Sequence, residues 1–375
     1  MVCYDARSEA NRIIMSIMNR IDKIELEITS DCNALCPGCA RTQHLDKITV
    51  QDFVLEDLKR ILPTREYIDG KIFKFCGVLG DPAANVECLP MVKYLVENGG
   101  WCQLSTNGGI QPAAWWRELG ELSARTNSVD VSFCIDGHEE TNHIYRVGTK
   151  FSTIDRNIQA YSDGGNGIAS ATWIYIVFDH NEHELDKARE HAERLGFKFA
   201  TRTGMRNSYH NWVSVTKKKD KETKKIVEEV KTITTTGAKE HSKKKEVEKI
   251  DQFIKAYSKG KEIDQEKKLE MIKSITCKMI HEAEIFIAAD QTVWPCCFLH
   301  DSAVKNQDAI NDKLAQFGDN WNSLKHHTLE EILSHVWFRQ LIRLSWDPEH
   351  EMHLKRCVRS CASNKAYQNE INYES

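Results

Sequence analysis

Three cysteines near the amino terminus, spaced C-x3-C-x2-C, point most directly to chemistry. Cys32, Cys36 and Cys39 follow a strand-like run at 23–28, and the next cysteine along the chain is Cys76. Three thiolates on one loop can bind three irons of a cubane cluster and leave the fourth iron open for another ligand. A structural zinc site is closed by four ligands, commonly in C-x2-C pairs, so both number and spacing argue against zinc. The sequence therefore predicts an iron–sulfur cluster with one open coordination position.

Alternating strand-like and helix-like segments must position this loop. The strand-like runs lie at 23–29, 71–76, 101–106, 129–135, 171–178 and 197–201. Segments with one apolar face separate them, including helices predicted to begin at Thr49 and Pro90. Serial βα units imply right-handed crossovers and a parallel sheet, open or curled into a barrel, with ligands at the carboxyl ends of its strands. The cysteine loop follows the first strand at that end.

Over 23–205 the chain resembles the radical S-adenosylmethionine (SAM) enzymes. Beyond the cysteine loop, Gly80, Asp81 and Pro82 after the second strand stand at the place of the family's Gly-Gly-Glu-Pro motif. In that family, backbone carbonyls and an acid at this motif receive the methionine ammonium of SAM. The chain departs from the pattern, with Leu79 for the first glycine and Asp81 for glutamate. The resemblance therefore supports the roles of the backbone carbonyls more strongly than the role of the acidic side chain.

Further matches follow the third and fourth strands. Asn107 lies in Ser-Thr-Asn-Gly, and Ser132 and Asp136 lie in Ser-x-x-x-Asp-Gly. In the family, polar groups here reach the ribose hydroxyls and the methionine end of SAM. Arg146 matches an arginine that can pair with the SAM carboxylate through a charge-assisted contact. The resemblance thus assigns these four residues to SAM binding.

One departure concerns the adenine of SAM. The residue before the third cysteine is usually aromatic in the family, but here it is Gly38. Adenine packing must then come from elsewhere, and Trp173, Ile176 and Phe178 on the fifth strand are the candidates. Each of them could equally be a core residue.

The C-terminal part resembles the Twitch domain, the shorter relative of the SPASM domain, which binds one auxiliary iron–sulfur cluster. Four cysteines fit its pattern and would complete a closed [4Fe–4S] site: Cys277, Cys296, Cys357 and Cys361. Cys297 could replace Cys296, because neighbours on a strand point to opposite faces. A four-cysteine zinc site stays open as the alternative. Gln291 stands where glycine is usual in the hairpin turn. The remaining cysteines are interpreted as buried or incidental thiols: Cys3, Cys76, Cys88, Cys102 and Cys134.

Together these resemblances imply an α/β fold, a partial (β/α)6 barrel with a small C-terminal α+β iron–sulfur domain. The expected division is an N-terminal helix at 1–22, the barrel at 23–205, a charged linker or insert at 206–274 and the Twitch-like domain at 275–375. The whole is similar to Twitch-domain radical SAM proteins of marine bacteriophages. The implied activity is reductive cleavage of SAM by a [4Fe–4S] cluster to a 5′-deoxyadenosyl radical, which abstracts hydrogen from a substrate.

The sequence says less about the substrate and the partners than about the cofactors. The family implies a flavodoxin- or ferredoxin-type electron donor, and a peptide or protein substrate ahead of a small molecule. The lysine-rich insert is interpreted as a solvated linker or arm, with a basic surface for an acidic substrate or nucleic acid as the alternative. No aromatic-interleaved RNA-binding motif, apolar membrane span or signal peptide is found. Thiolate ligands need a reducing compartment, so the sequence predicts a cytoplasmic protein. A non-catalytic iron–sulfur electron carrier or scaffold and a zinc-stabilised interaction protein remain the alternatives.

Overall fold

The structure is a computed structural model that describes residues 18, 20–202, 212–219, 226–233, 264–362 and 371–373. Most of the helix predicted at 1–22 lies outside the described residues, as do Cys3 and the middle of the insert.

A sheet of mostly parallel strands organises the chain. The strands of the described residues are β1 Lys23–Leu26, β2 Ile72–Phe75, β3 Trp101–Thr106, β4 Val129–Cys134, β5 Ser170–Ile176, β6 Lys198–Arg202, β7 Trp212–Lys219, β8 Ile226–Ile233, β9 Glu284–Ile287, β10 Val293–Trp294 and β11 Ile371–Tyr373. All except β7 and β8, which pair with each other, belong to this sheet. The order is β10-β9-β1-β2-β3-β4-β5-β6-β11, and the neighbours from β9 to β6 all run parallel. The predicted partial (β/α)6 barrel is confirmed, and β1 to β6 supply its six units in chain order.

Helices connect the strands and cover one face of the sheet. They are α1 Ala40–Gln43, α2 Leu55–Ile61, α3 Cys88–Glu97, α4 Ala113–Thr126, α5 Asn142–Tyr145, α6 Phe151–Gly164, α7 Leu185–Arg194, α8 Gln265–Lys273, α9 Lys278–His281, α10 Cys297–Val304, α11 Ile310–Leu314, α12 Leu329–Ser334, α13 Ile342–Leu344 and α14 Lys355–Cys361. Short 3-10 turns lie at Leu45–Lys47, Arg65–Tyr67, Pro82–Ala84, Glu182–Glu184, Gln307–Ala309 and Ala315–Phe317, and a π-helical turn at Trp337–Leu341.

Two helix starts differ from the predictions. The helix expected from Thr49 begins at Leu55, because the segment before it is held extended against the end of β1. Phe53 N donates to Ile28 O at 2.9 Å, and Gln51 N donates to Ser30 Oγ at 2.8 Å. The helix expected from Pro90 already begins at Cys88. Proline is tolerated in the first turn, where its missing N–H has no partner to lose.

The two faces of the sheet have different chemistry. On β4, Val131 and Phe133 are fully buried, and Phe133 packs against Trp116, Tyr161 and Phe197 on the helical side. The opposite face is polar, and most of its side chains are half-buried, while Glu25 and Thr172 are buried. Its residues lie in register across four strands as Glu25, Lys74, Gln103 and Asp130, with Ser105, Ser132 and Thr172 above them. The core therefore lies between sheet and helices, and a polar interior remains on the concave side.

The C-terminal segments join the sheet at both edges. β9 pairs in parallel with β1, the β9–β10 hairpin forms the edge, and β11 pairs antiparallel with β6. Gln291 adopts a left-handed backbone conformation, φ 70°, in the hairpin turn. It thus keeps the conformation that glycine adopts freely, and its side chain accepts a 2.7 Å hydrogen bond from Arg60. The capping box predicted at Thr328 and Glu331 is present at the start of α12.

Part of the insert is ordered as a hairpin. β7 and β8 pair antiparallel over their full length, from Trp212 opposite Ile233 to Lys219 opposite Ile226. Ile233 is buried beside the cysteine loop, in an apolar cluster with Cys36 and Phe178. Among the described residues, no helix combines the length and apolar character that a membrane span requires.

Candidate iron–sulfur and SAM site

The cysteine loop lies at the carboxyl end of β1, and Cys32, Cys36 and Cys39 are free thiols there. Cys36 is buried, the other two are half-buried, and Cys39 is the first residue before α1. Burial raises the pKa of Cys32 to about 11 and that of Cys36 to about 12, and charge on the neighbouring thiols adds to both shifts. The three sulfurs are therefore within electrostatic reach of one another in a water-poor setting.

Two side chains direct N–H groups at these sulfurs. Asn107 Nδ2 lies 3.7 Å from Cys32 Sγ, and Arg146 Nη1 lies 4.0 Å from Cys36 Sγ. Hydrogen bonds to cluster sulfurs are a common means of tuning iron–sulfur centres, so this donor set fits such a group. Across the described ranges, no group of three or more His, Cys, Asp or Glu residues is arranged to hold a metal ion. In a four-iron cluster each thiolate binds a different iron, so its ligands need not converge on one point.

Arg146 is oriented by a buried ion pair. Its Nε donates to Asp136 Oδ2 at 2.7 Å, while Asp136 Oδ1 accepts from Ile176 N at the same distance. Burial raises the pKa of Asp136, and the positive charge of Arg146 opposes that rise. Asn142 also holds this corner, because its Oδ1 accepts from Asp136 N at 2.9 Å. Asp136 is thus committed to positioning Arg146.

Asp81 is similarly committed to the protein. Its Oδ1 accepts from Ala83 N at 3.0 Å and from Thr106 Oγ1 at 2.8 Å, and its Oδ2 accepts from Asn107 N at 2.8 Å. The carboxylate therefore ties the loop after β2 to the end of β3. It also places Asn107 beside Cys32. Pro82 is buried in the short turn that follows.

Gly80 lies where the loop after β2 crosses the end of β1. A Cβ at this position would lie 1.9 Å from Thr29 O, a backbone atom that cannot move aside alone. Glycine is required here by the close approach of two backbones.

We expect Gly80→Ala to lower stability by about 1–3 kcal/mol, the usual cost of overpacking, and to weaken SAM binding because the loop must shift. Thermal melting and SAM titration of the anaerobic protein measure the two effects. Val86→Ala is the matched control, since Val86 follows in the same loop and is 79% exposed. Equal melting and equal SAM affinity of the two variants would contradict the role given to Gly80.

The three candidates for adenine packing lie in two different apolar clusters. Ile176 and Phe178 belong to the apolar cluster that contains Cys36 and Tyr145. Trp173 is fully buried in the main core, where its Nε1 donates to Ile135 O at 2.9 Å. Trp173 is therefore a core residue. Ile176 and Phe178 are the apolar residues beside the cysteine loop.

The C-terminal cysteines form a second buried group. Cys277 and Cys296 each precede a short helix, α9 and α10, while Cys357 and Cys361 lie one turn apart on α14. Burial raises the pKa of Cys296 well above its usual range, and charge on the adjacent Cys297 and on Cys277, Cys361 and Cys357 adds to the shift. Thr276 N donates to Cys361 O at 2.8 Å and joins two of the segments. The structure thus brings these four thiols together.

Cys297 faces elsewhere. Lys278 Nζ lies 3.9 Å from Cys297 Sγ, and the same ammonium pairs with Glu25 at 3.3 Å and with Glu284 at 2.6 Å. Cys76 Sγ donates to Glu25 Oε1 at 3.1 Å, so it belongs to the same network. Lys74 also pairs with Glu284. This network lies at the polar interior, where β9 meets β1.

Sequence reasoning missed several residues of the site. Asn142 and Asn181 are fully buried, and Asn181 Nδ2 donates to Asp136 O at 2.9 Å and to Ile176 O at 3.0 Å. Glu27 lies inward at the end of β1, and its Oε1 accepts from Leu79 N at 2.5 Å. Alternation along β1 could have placed Glu27 on the face of Glu25. The sequence carries no signal for the partners of the two asparagines.

Comparison with known proteins gives a likeness of architecture only. No family model matches the chain, and no curated protein matches it. Among solved structures, anSMEcpe with bound AdoMet and Cp18Cys peptide is 14% identical, over 92% of this chain and 94% of that one, at a TM-score of 0.46. SuiB of Streptococcus suis bound to precursor peptide SuiA is 10% identical over 99% and 80%, at 0.49. BtrN in complex with AdoMet and 2-DOIA is 9% identical over 94% and 98%, at 0.43.

Proposed function

We propose that this protein is a radical SAM enzyme with an auxiliary iron–sulfur cluster. The observation that carries the proposal is the placing of Cys32, Cys36 and Cys39 at the carboxyl end of a parallel sheet, with Asn107 and Arg146 directed at two of the thiols. Polar groups at this end of several neighbouring strands are typical of an active site. An electron carrier needs neither a glycine where the loop after β2 crosses the end of β1 nor an arginine oriented beside its cluster.

The three thiols would hold a [4Fe–4S] cluster, and SAM would occupy the open iron. The chemistry that these two groups supply when bound is one-electron reductive cleavage of SAM, followed by hydrogen abstraction from a substrate. Burial of Ala34 and Cys36 shields one side of the reacting centre from water. The apolar cluster of Ile176, Phe178 and Tyr145 covers one side of it.

The SAM contacts divide into direct and positioning roles. Gly80, Pro82 and the backbone between them would present carbonyls to the methionine ammonium, and Ser132 would reach the sugar from the polar face of β4. Asn107 would remain beside the cluster. Arg146, with its Nε spent on Asp136, has terminal N–H groups for the SAM carboxylate. Asp81 and Asp136 would act indirectly, because Asp81 positions Asn107 and Asp136 positions Arg146.

Cys277, Cys296, Cys357 and Cys361 would bind the auxiliary cluster. Charge on Cys277, Cys357 and Cys361 raises the pKa of Cys296, as does charge on the adjacent Cys297, so these thiols lie near one another. The contact of Cys297 with Lys278 supports Cys296 over Cys297 as the ligand. The cluster could accept an electron from the substrate or stabilise the module around it.

The substrate would enter the polar interior of the barrel. Half-buried side chains on the concave face, such as Gln103, Ser105 and Ser132, suit a peptide or another polar molecule over an apolar one. A flavodoxin- or ferredoxin-type protein would deliver the electron. The β7–β8 hairpin, packed beside the cysteine loop through Ile233, is a candidate to contact either partner.

The decisive experiment is anaerobic. Reconstituted protein is mixed with SAM and dithionite, and 5′-deoxyadenosine is measured by mass spectrometry. We expect product from wild type and a loss of at least a hundredfold in the Cys32/Cys36/Cys39→Ala variant, because the electron from dithionite would reach SAM through the cluster that these thiols would hold. Cys88→Ala, which removes a buried thiol on α3, is the control and should retain activity. Absence of product from wild type with both clusters intact, with and without a peptide library, would favour the electron-transfer alternative.

A further inference from the structure

A cavity between the barrel and the C-terminal module is lined by buried polar atoms that lack partners. Its volume is about 210 Å³, and its walls come from the end of β1, the segment 47–51, the loop after β2, the β9–β10 turn and α10. Lys47 and Thr49 on its wall are exposed, so the cavity opens to solvent on that side. The volume is below the range of about 300–1,000 Å³ typical of sites for whole cofactors, so it suits one substituent of a larger ligand or a very small molecule.

Glu27 and His300 face each other across this space. Glu27 Oε2 and His300 Nδ1 lie 4.0 Å apart, too far for a direct hydrogen bond, and neither atom has a hydrogen-bond partner. Glu27 is 2% exposed and His300 is 6% exposed. An unpaired polar atom at such burial costs about 1–3 kcal/mol, so a group that hydrogen-bonds to both atoms is favoured in the cavity.

The wall favours a neutral ligand. Burial raises the pKa of Glu27 to about 8, with the nearby charge of Asp290 adding to the shift, so the carboxyl is protonated at neutral pH. Glu27 Oε1 already accepts from Leu79 N, which leaves Oε2 to carry the proton and donate. Asp290 has its own carboxylate engaged, since its Oδ1 accepts from Thr292 N and Thr292 Oγ1. An anion would be repelled by the charge of Asp290, and an ammonium offers no acceptor for the proton on Glu27 Oε2.

We propose that this cavity binds a primary carboxamide, held at both ends of its amide group by Glu27 and His300. The amide oxygen accepts from Glu27 Oε2, and the amide N–H donates to His300 Nδ1. One planar group that offers an acceptor and a donor side by side matches two facing atoms at this spacing, and both orphaned atoms gain partners. The inference rests on the proposed function only in regarding the carboxamide as part of a substrate, such as an asparagine or glutamine side chain. The binding itself does not require radical chemistry.

The cavity lies between the two groups of cysteines, where it could anchor a substrate. Glu27 joins the cavity to the loop after β2 through Leu79, directly before Gly80, and His300 lies on α10, which begins beside Cys296. A ligand held there would be anchored between the two cysteine sites. Its bound carboxamide would fix the register of a longer substrate relative to the polar interior.

The test uses saturation-transfer NMR on the full chain, with propionamide as the probe and propionate and propylammonium as isosteric charged controls. We expect at least fivefold greater transfer to propionamide than to either ion. His300→Leu should abolish that preference, and His300→Gln should restore part of it because glutamine again offers a donor and an acceptor. His353→Leu is the matched control: His353 is also buried with an unpartnered Nε2, but lies outside the cavity wall, so its variant should keep the preference.

Equal transfer to the three probes by wild type would overturn the proposal, whether or not the variants fold. An equal loss in His353→Leu and His300→Leu would also overturn it, because the effect would then be general destabilisation. The assay for 5′-deoxyadenosine decides the proposed function separately. Wild type that prefers the amide but forms no 5′-deoxyadenosine would keep the binding site and remove the radical chemistry.

Discussion

Replacing Asp136 by alanine is expected to lower the free energy of unfolding by about 3–5 kcal/mol, because it leaves Arg146 with a buried and unpaired charge. Asp136 is completely buried and accepts from both Arg146 Nε and Ile176 N, so the backbone N–H of Ile176 loses its partner as well. For a chain of this length the melting temperature should fall by about 4–6 °C. SAM affinity should fall too, since Arg146 is no longer held toward the cysteine loop.

Asp130→Ala is the matched control. Asp130 lies on the polar face of β4. It is half-buried, and its side chain accepts a 2.8 Å hydrogen bond from Ser170 Oγ. Its loss should cost about 1 kcal/mol and leave SAM binding unchanged. Melting curves and SAM titrations of both variants decide the matter. The positioning role of Asp136 fails if the two variants bind SAM equally well.

Removal of two of the proposed C-terminal ligands is expected to damage the fold more than removal of the first three cysteines. The double variant Cys357→Ala/Cys361→Ala should melt below the triple variant Cys32/Cys36/Cys39→Ala. The C-terminal module is built from short helices that converge on buried thiols, and ligand binding by such a module contributes directly to its folding free energy. The first loop is instead anchored by the main sheet.

Cys88→Ala/Cys102→Ala provides the control for loss of two buried thiols. Both residues are fully buried, and the pKa of Cys102 is raised by burial and then by the neighbouring Cys88. Melting of iron-loaded proteins under anaerobic conditions compares the three variants. A Cys357→Ala/Cys361→Ala protein that melts like wild type would remove the structural role of the second thiol group.

The βα order and the place of the first cysteine loop could be predicted from sequence because their signals are local. Strand-like runs separated by segments with one apolar face specify β1 to β6 within a few residues. Once the strands are parallel, the loop after β1 must lie at their carboxyl ends. The motif residues Asn107, Asp136 and Arg146 were identified through the family resemblance, because each stands in a short motif that matches the family's pattern.

Their roles were harder to predict. Sequence motifs pointed to Asp81 and Asp136 as SAM contacts, but hydrogen bonds commit both carboxylates to neighbouring protein groups. Adenine packing was open among three residues of β5 and its end until burial placed Trp173 in the main core. Such roles depend on which partner lies across from a side chain, and no local pattern encodes that partner.

The sequence by itself determined the thiol spacing, the six βα units and the polar residues at their ends, because propensity, periodicity and chain order are properties of neighbours. Tertiary packing, in contrast, pairs β9 with β1 and brings Cys296 near Cys277, Cys357 and Cys361. It alone placed Glu27 opposite His300. The physical reason is that these contacts join segments far apart in the chain. Their geometry is set by how the edge of the sheet, the hairpin and α10 pack together.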